Sequence, residues 1–270
     1  MDRESDGRKK KQVFWGDTER VEVYDWLRLI ATTLVVIGHS GYLCTIVTYG
    51  GVTYELPEMV SSAYYSPILS FLRGSVDWIY GFHMPLFFML SGALLGNKPI
   101  PQYDHFVISK VKRLLIPYFL WGWLFMFPVK YAGNFYNAES IYQAMRGFLS
   151  GEDSGHLWFL TALFWCMICF ALIQKVLVRK TDSVYILLLI SGVISLTYAY
   201  LPFDILGLKR GLSYIFWFAM GYVFEYGRKS HVAWNIKQTI LTYIILVMIE
   251  MLHVKHGVLR AYPEISDECE

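Results

Sequence analysis

The sequence has few charged residues for its length. Aspartate, glutamate, lysine and arginine make up 17% of the 270 residues, whereas 55% of the residues are hydrophobic. The mean hydropathy of +0.38 is too high for an ordinary soluble domain. The charges gather between long apolar runs, which is the pattern of a helical membrane protein with several spans.

Several kinds of functional site are also missing. Of the four cysteines, only Cys166 and Cys169 have a redox-like spacing, and both lie in an apolar run where thiols act as small packing residues. No phosphate-binding glycine loop, dinucleotide-binding turn, metalloprotease motif or DNA-binding pattern occurs. We therefore predict no metal site, no permanently bound cofactor and no nucleic-acid partner.

Apolar runs long enough to cross a bilayer predict an all-α, polytopic membrane protein with about seven transmembrane helices. Between the spans we predict a polar loop at 49–75, a segment at 97–112 that leads into the third span, and a long loop at 132–156. Residues 1–23 form a basic N-terminal segment, 24–256 a membrane domain and 257–270 an acidic polar tail. The predicted spans are about 26–48, 76–96, 113–131, 157–177, 184–201, 210–226 and 237–253.

Lysine and arginine predict the orientation of these spans. With the N-terminus inside, sixteen of these residues fall in inner segments and six in outer segments. Basic residues concentrate on the cytosolic side, so we predict a cytosolic N-terminus in the cell (plasma) membrane. The first apolar run is too long for a cleaved signal peptide, which favours an uncleaved first span.

The first span carries an arginine near its start and a histidine near its predicted middle. Arg28 and His39 are eleven residues apart, which is about three helical turns, so they share one face and lie roughly 16 Å apart along the axis. Ionisable groups inside a membrane are costly and usually functional. A histidine can act as a general base or proton relay, although a ring that only packs against a neighbouring helix remains the alternative.

The second span contains His83, followed two residues later by Pro85, and Ser91 lies a little over two turns beyond His83. Proline bends a helix and leaves a backbone carbonyl without its usual donor. Two interpretations stay open. The span is either a kinked helix with a polar seam or a second set of functional groups that faces the stripe of Arg28 and His39.

Basic and aromatic residues near other span ends also allow two interpretations. Lys110, Lys112 and Arg113 either anchor the third span to lipid headgroups or, with Arg28, bind the phosphates of a nucleotide-bearing donor. His156 and Trp158 open the fourth span, where aromatic residues commonly form an interfacial belt. Glu225 is predicted to neutralise Arg228 one turn away.

Four stretches of the chain together resemble the acyltransferase 3 family of integral membrane acyltransferases, in the order the family has them. They cover residues from about 20 to 225. They are 25–28 (DWLR) with the histidine at 39, 82–92 (FHMPLFFMLSG), 110–118 (KVKRLLIPY) and 156–160 (HLWFL).

The resemblance implies transfer of an acyl group, usually acetyl from cytosolic acetyl-CoA, to a hydroxyl of a cell-surface or exported glycan or glycolipid. It implies that Arg28 and His39 form the family's arginine–histidine pair, with His39 essential for catalysis. Lys110 and Arg113 stand where the family has two arginines, and lysine lacks the fork that grips a phosphate at two points. The family usually has about ten spans, whereas seven are predicted here, so the resemblance implies either a short or truncated member or one in which the acceptor-binding half is missing.

These observations combine into a predicted O-acyltransferase for O-acetylation of a polysaccharide. His39 would activate the acceptor hydroxyl as a general base or carry the acyl group itself. Arg28, Lys110 and Arg113 would hold CoA phosphates, while His83 and Ser91 would orient His39 or stabilise the oxyanion. The alternatives are a non-enzymatic glycan or lipid transporter or flippase that uses the same polar path, and a regulatory membrane subunit without chemistry.

Overall fold

The computed structural model describes residues 22–40, 47–49, 52–54, 67–97, 100, 102–133, 138–151, 154–177 and 185–229. Most of this part of the chain is helical, as the sequence predicts. We number the helices α1 (Glu22–Ser40), α2 (Pro67–Gly96), α3 (Tyr103–Ala132), α4 (Ala138–Ser150), α5 (Trp158–Leu177), α6 (Tyr185–Thr197), α7 (Leu208–Ser213) and α8 (Ile215–Lys229).

The chain also forms a small hairpin, which departs from the all-α prediction. Strand β1 (Val47–Tyr49) pairs antiparallel with β2 (Val52–Tyr54), and Thr48 lies opposite Thr53. Each strand is a Val-Thr-Tyr triplet, and β-branched and aromatic residues favour extended backbone. The predicted end of the first span, at about residue 48, is therefore wrong. Helix α1 ends at Ser40, and strand β1 begins at Val47.

Three other predicted segments need correction. The loop at 49–75 is wrong, because it contains β2 and because α2 already begins at Pro67. The third predicted span begins too late, since α3 begins at Tyr103 rather than near 113. The loop at 132–156 contains helix α4, whose apolar residues recur at helical spacing but are too few to resemble a span. The seventh span, most of the basic segment and the acidic tail lie outside the described residues.

Helix α3 contains two π-helical turns at Val111–Leu115 and Gly122–Met126. Each of these turns ends two residues before a proline, Pro117 or Pro128. A proline ring collides with the carbonyl four residues earlier in an α-helix, and a wider π turn relieves that collision. The two prolines therefore account for the irregular hydrogen bonding of an otherwise continuous helix.

The core lies between α2, α5 and α8. Its buried side chains include Phe88, Phe170 and Phe218, which come from these three helices. Glycines let α2 and α8 approach closely: a Cβ added at Gly92 would overlap the Phe218 carbonyl, and one at Gly221 would overlap the Met89 carbonyl. Small residues at helix contacts are the usual way for membrane helices to pack backbone against backbone.

Helix α4 is fixed to the middle of α3 by one aromatic side chain. Phe148 is fully buried, and its ring stacks on that of Tyr118 with a centroid separation of 4.4 Å. The Tyr118 hydroxyl donates a hydrogen bond of 2.6 Å to the carbonyl of Phe148. Gly122 leaves room for the Phe148 ring, since a Cβ there would meet it. Helix α4 is thus part of the packed structure.

The outer faces of the helices are apolar, as a bilayer requires. Three stretches of the described chain are long and apolar enough to cross a membrane, judged by length and composition: Gly74–Gly96, Tyr103–Ala132 and Ile141–Leu177. Large hydrophobic side chains on several helices are exposed, among them Trp26, Leu124 and Leu189. Soluble proteins rarely expose so much apolar surface. The chain is a helical membrane protein.

Candidate active site

Helix α1 packs against α2 through one narrow stripe. Tyr24, Ala31 and Gly38 are buried and recur every seven residues, which is the spacing of a single helical face. Arg28 and His39 lie beside this stripe, with Arg28 exposed and His39 half-buried. Both residues lie in this one helix, so they share the face that their spacing predicts. His39, however, occupies the last turn of α1 and not its middle.

The structure brings His39 together with a second histidine. The ring of His156 lies beside that of His39, with centroids 4.8 Å apart and planes inclined by 52°. His156 belongs to the short 3₁₀ turn Gly155–Leu157 before α5. Lys130, near the end of α3, lies close enough for its charge to act on the His156 ring. Each imidazole can donate a proton from one nitrogen and accept one at the other, so both rings carry the groups that proton transfer requires.

From the sequence, His156 was interpreted as a residue of an interfacial aromatic belt, and its contact with His39 was not predicted. The two histidines are more than a hundred residues apart, and no spacing rule links them. The sequence feature that could have identified His156 is its position as the first residue of the HLWFL stretch, one of the four stretches that resemble the family.

His83 is held by its own helix. The side chain is only 3% exposed, and Nδ1–H donates a hydrogen bond of 2.8 Å to the Ile79 carbonyl. Because a carbonyl only accepts, this contact leaves Nε2 of a neutral ring as an acceptor. Tyr24 packs against Leu90 and Ala93.

Ser91 lies near the other end of α1 from His39. It is adjacent to Leu90, which packs on Tyr24. Fifteen residues separate Tyr24 from His39, which corresponds to about 22 Å of helix. Ser91 is therefore closer in level to Arg28 than to the histidine pair, and its predicted role toward His39 stays a prediction.

The predicted donor-binding cations stand at the first π turn of α3. Lys110 precedes this turn, and its ammonium lies 4.9 Å from the centroid of the Phe106 ring. Lys112 and Arg113 are within the turn and exposed. The turn packs against α5, whereas Arg28 stands on a helix that packs against α2. Arg28 makes an ion pair of 3.5 Å with Asp25.

Aromatic rings continue from the histidine pair toward α7. Trp158, two residues after His156, lies 6.0 Å from Tyr214 between ring centroids, and Tyr214 stacks on Phe88 at 4.5 Å. The guanidinium of Arg210 lies 5.1 Å from the centroid of the Trp158 ring. These rings and the guanidinium contact one another, in a cluster that begins two residues after His156.

The amino-acid sequence matches a known protein family. No curated protein matches the chain, and no solved structure matches it. Residues 21–254 match a family defined by an acyltransferase domain, and this match includes α1, the histidine pair and the cationic π turn. The resemblance seen in the four sequence stretches is therefore confirmed, and the chain belongs to the acyltransferase 3 family of membrane acyltransferases.

Proposed function

We propose that the protein transfers an acetyl group from cytosolic acetyl-CoA to a hydroxyl of a cell-surface or exported glycan, with His39 and His156 at the reaction centre. The observation that carries the proposal is the contact between the two imidazole rings, on a helix whose other end carries Arg28. Membership of the family supports acyl transfer as the reaction. The residues of the site are the reason to propose this donor and this acceptor.

The donor enters from the side on which α1 begins. Arg28, Lys110 and Arg113 bind the phosphates of CoA there, because charge-assisted contacts to phosphate are the strongest hydrogen bonds that such side chains make. Arg28 lies about 16 Å along α1 from His39. The pantetheine arm bridges that distance and delivers the thioester to the histidines. The N-terminus of the chain is cytosolic in this arrangement, in agreement with the bias of basic residues.

The acceptor enters from the opposite side and meets the histidine pair near Trp158, which follows His156 by two residues. The acceptor oxygen attacks the thioester carbonyl carbon, a C–O bond forms, and the C–S bond breaks. His39 takes the hydroxyl proton as the general base and returns it to the CoA sulfur, and His156 holds or relays this proton. Transfer through an acyl-His39 intermediate uses the same groups in two steps.

Oriented proteoliposomes test the proposal. Labelled acetyl-CoA is supplied only on the side of the basic segments, and candidate glycans only on the other side. We expect labelled glycan from the wild type and none from His39→Ala. His105→Ala provides the matched control, since His105 is an exposed histidine at the start of α3, and it should leave the rate unchanged.

Three results decide between the alternatives. Wild-type rates in His39→Ala would remove His39 from the mechanism. Product that forms only when both substrates share one side would refute transfer across the membrane. Rapid release of one equivalent of CoA without acceptor would favour the acyl-His39 intermediate over general base catalysis.

A further inference from the structure

A buried carboxylate joins three helices at the end of the molecule where α1 begins. Glu225, near the end of α8, is 0% exposed. It accepts two hydrogen bonds of 2.8 Å from Nε and Nη2 of Arg228 on the same helix. The Tyr24 hydroxyl of α1 donates a third hydrogen bond to the same carboxylate. The predicted neutralisation of Glu225 by Arg228 is therefore present, with an additional partner that the sequence did not suggest.

Helix α2 completes this junction. Tyr24 packs against Leu90 and Ala93 of α2. A Cβ added at Gly96, the last residue of α2, would lie 3.2 Å from the Glu225 Cβ. The carboxylate thus sits where the ends of α1, α2 and α8 meet, and the Tyr24 hydroxyl ties α1 directly to α8.

This arrangement is expensive as a way to stabilise a fold. A buried carboxylate loses its hydration, and a buried ion pair is often no more stable than apolar residues of the same volume. Buried polar groups can instead specify one arrangement among several that hydrophobic packing alone would allow. Helix α1 needs such a constraint, because only one stripe of it is buried and Trp26, Leu29 and Ile30 are exposed.

Arg28 follows Tyr24 by four residues, which is one turn or about 6 Å of helix. The rotation and axial position of α1 at Tyr24 therefore set the position of the Arg28 guanidinium. We propose that Tyr24, Glu225 and Arg228 are positioning residues for donor binding, which hold α1 so that Arg28 meets a phosphate of acetyl-CoA. This inference rests on the proposed function, in which Arg28 binds the donor.

Two conservative variants test the network, and one matched control separates positioning from general stability. Tyr24→Phe removes only the hydroxyl, and Glu225→Gln removes the charge while it keeps the shape. Tyr222→Phe removes another hydrogen bond at the same end of α8, the one of 2.6 Å between Gln174 Nε2 and the Tyr222 hydroxyl, which involves α5 and not α1.

We expect Tyr24→Phe and Glu225→Gln to raise the KM for acetyl-CoA about five- to tenfold, while kcat stays within about twofold of wild type. Tyr222→Phe should lower thermal stability and leave that KM unchanged. An unchanged KM in both network variants would overturn the proposal and leave the network a purely structural role.

A distance measurement makes the test independent of activity. Spin labels are placed at Ile30 of α1 and Leu189 of α6, both of which are exposed, after the native cysteines are replaced. Pulsed electron paramagnetic resonance should give one narrow distance distribution for the wild type and Tyr222→Phe, and a broadened or shifted one for Tyr24→Phe and Glu225→Gln. Identical distributions in all four proteins would refute the positioning role. If the wild type transfers no acetyl group, the proposed function fails, but the distances still decide whether the network holds α1.

Discussion

The contact between α2 and α8 predicts that alanine in place of either of two glycines destabilises the protein. At Gly221, an added Cβ would overlap the Met89 carbonyl oxygen and lie 2.6 Å from the carbonyl carbon. Carbon atoms in contact are normally about 3.5–4.0 Å apart, so the helices would have to separate by roughly 1 Å. Backbone atoms oppose the new methyl group on the facing helix, and they cannot swing aside as a flexible side chain can.

The cost follows from that displacement. A gap of about 0.5–1 Å loses a quarter to a half of the dispersion energy of each facing atom pair, and overpacked cores lose ~1–3 kcal/mol. We expect Gly221→Ala to lower the midpoint of thermal unfolding in detergent by ~2–8 °C. Gly92→Ala should behave in the same way, since its Cβ would overlap the Phe218 carbonyl oxygen.

Gly81→Ala is the matched control on α2. Nothing lies within 4 Å of a Cβ at Gly81, and alanine favours a helix over glycine by ~0.5–1 kcal/mol. This variant should melt at or slightly above the wild-type temperature, as measured by loss of the monodisperse peak after heating. A Gly221→Ala protein that melts no lower than Gly81→Ala would show that α2 and α8 do not approach as closely as described.

Three further predictions concern the donor, the topology and α4. Arg28→Ala and Arg113→Ala should each weaken CoA binding by ~1.5–3 kcal/mol, and Lys110→Ala should weaken it by less. Titration calorimetry at low and high salt would measure these affinities. If none of the three changes alters the affinity for CoA, these residues act in membrane topology alone. In a cysteine-free background, an impermeant thiol reagent on intact cells should label Gln143→Cys in α4 and spare His105→Cys in α3, and the reverse pattern would invert the predicted orientation. Tyr118→Phe should cost ~1 kcal/mol in stability through loss of the hydrogen bond to the Phe148 carbonyl, whereas equal melting temperatures would mean that aromatic stacking alone holds α4.

Helical spacing predicted the features that lie within one element. The apolar run after Arg28 and the eleven-residue step to His39 required only the period of a helix, and the start of α5 at Trp158 followed from the apolar run behind it. Helix α4 was missed because a span is recognised by continuous hydrophobicity. A short helix that docks one phenylalanine against α3 needs only a narrow apolar stripe.

The contacts between helices that form the candidate site could not be predicted from the spacing of residues along the sequence. His39 and His156 meet because α1 and the start of α5 come together in the folded protein, and no local rule says which spans are neighbours. The same reason explains why Glu225 was expected to pair with Arg228, three positions further along the same helix, and not with Tyr24. Partners on the same helix follow from the helical period, whereas partners on different helices depend on packing.

The two π turns of α3 have a consequence for how the chain tolerates insertions and deletions. A π turn encloses one residue more than an α turn, so Val111–Leu115 acts as a stored one-residue insertion next to Pro117. Deletion of Lys112 would convert this turn to an ordinary α turn, and the residues beyond it would keep their facing, because the π turn absorbs the extra residue locally. Tyr118 and Gly122 would still face Phe148, so α4 would keep its attachment. By contrast, a deletion in the regular α-helical part between Ile116 and Trp121 would rotate the residues beyond it by about 100°. The first π turn is therefore the place where α3 can lose one residue without turning its aromatic half away from α4.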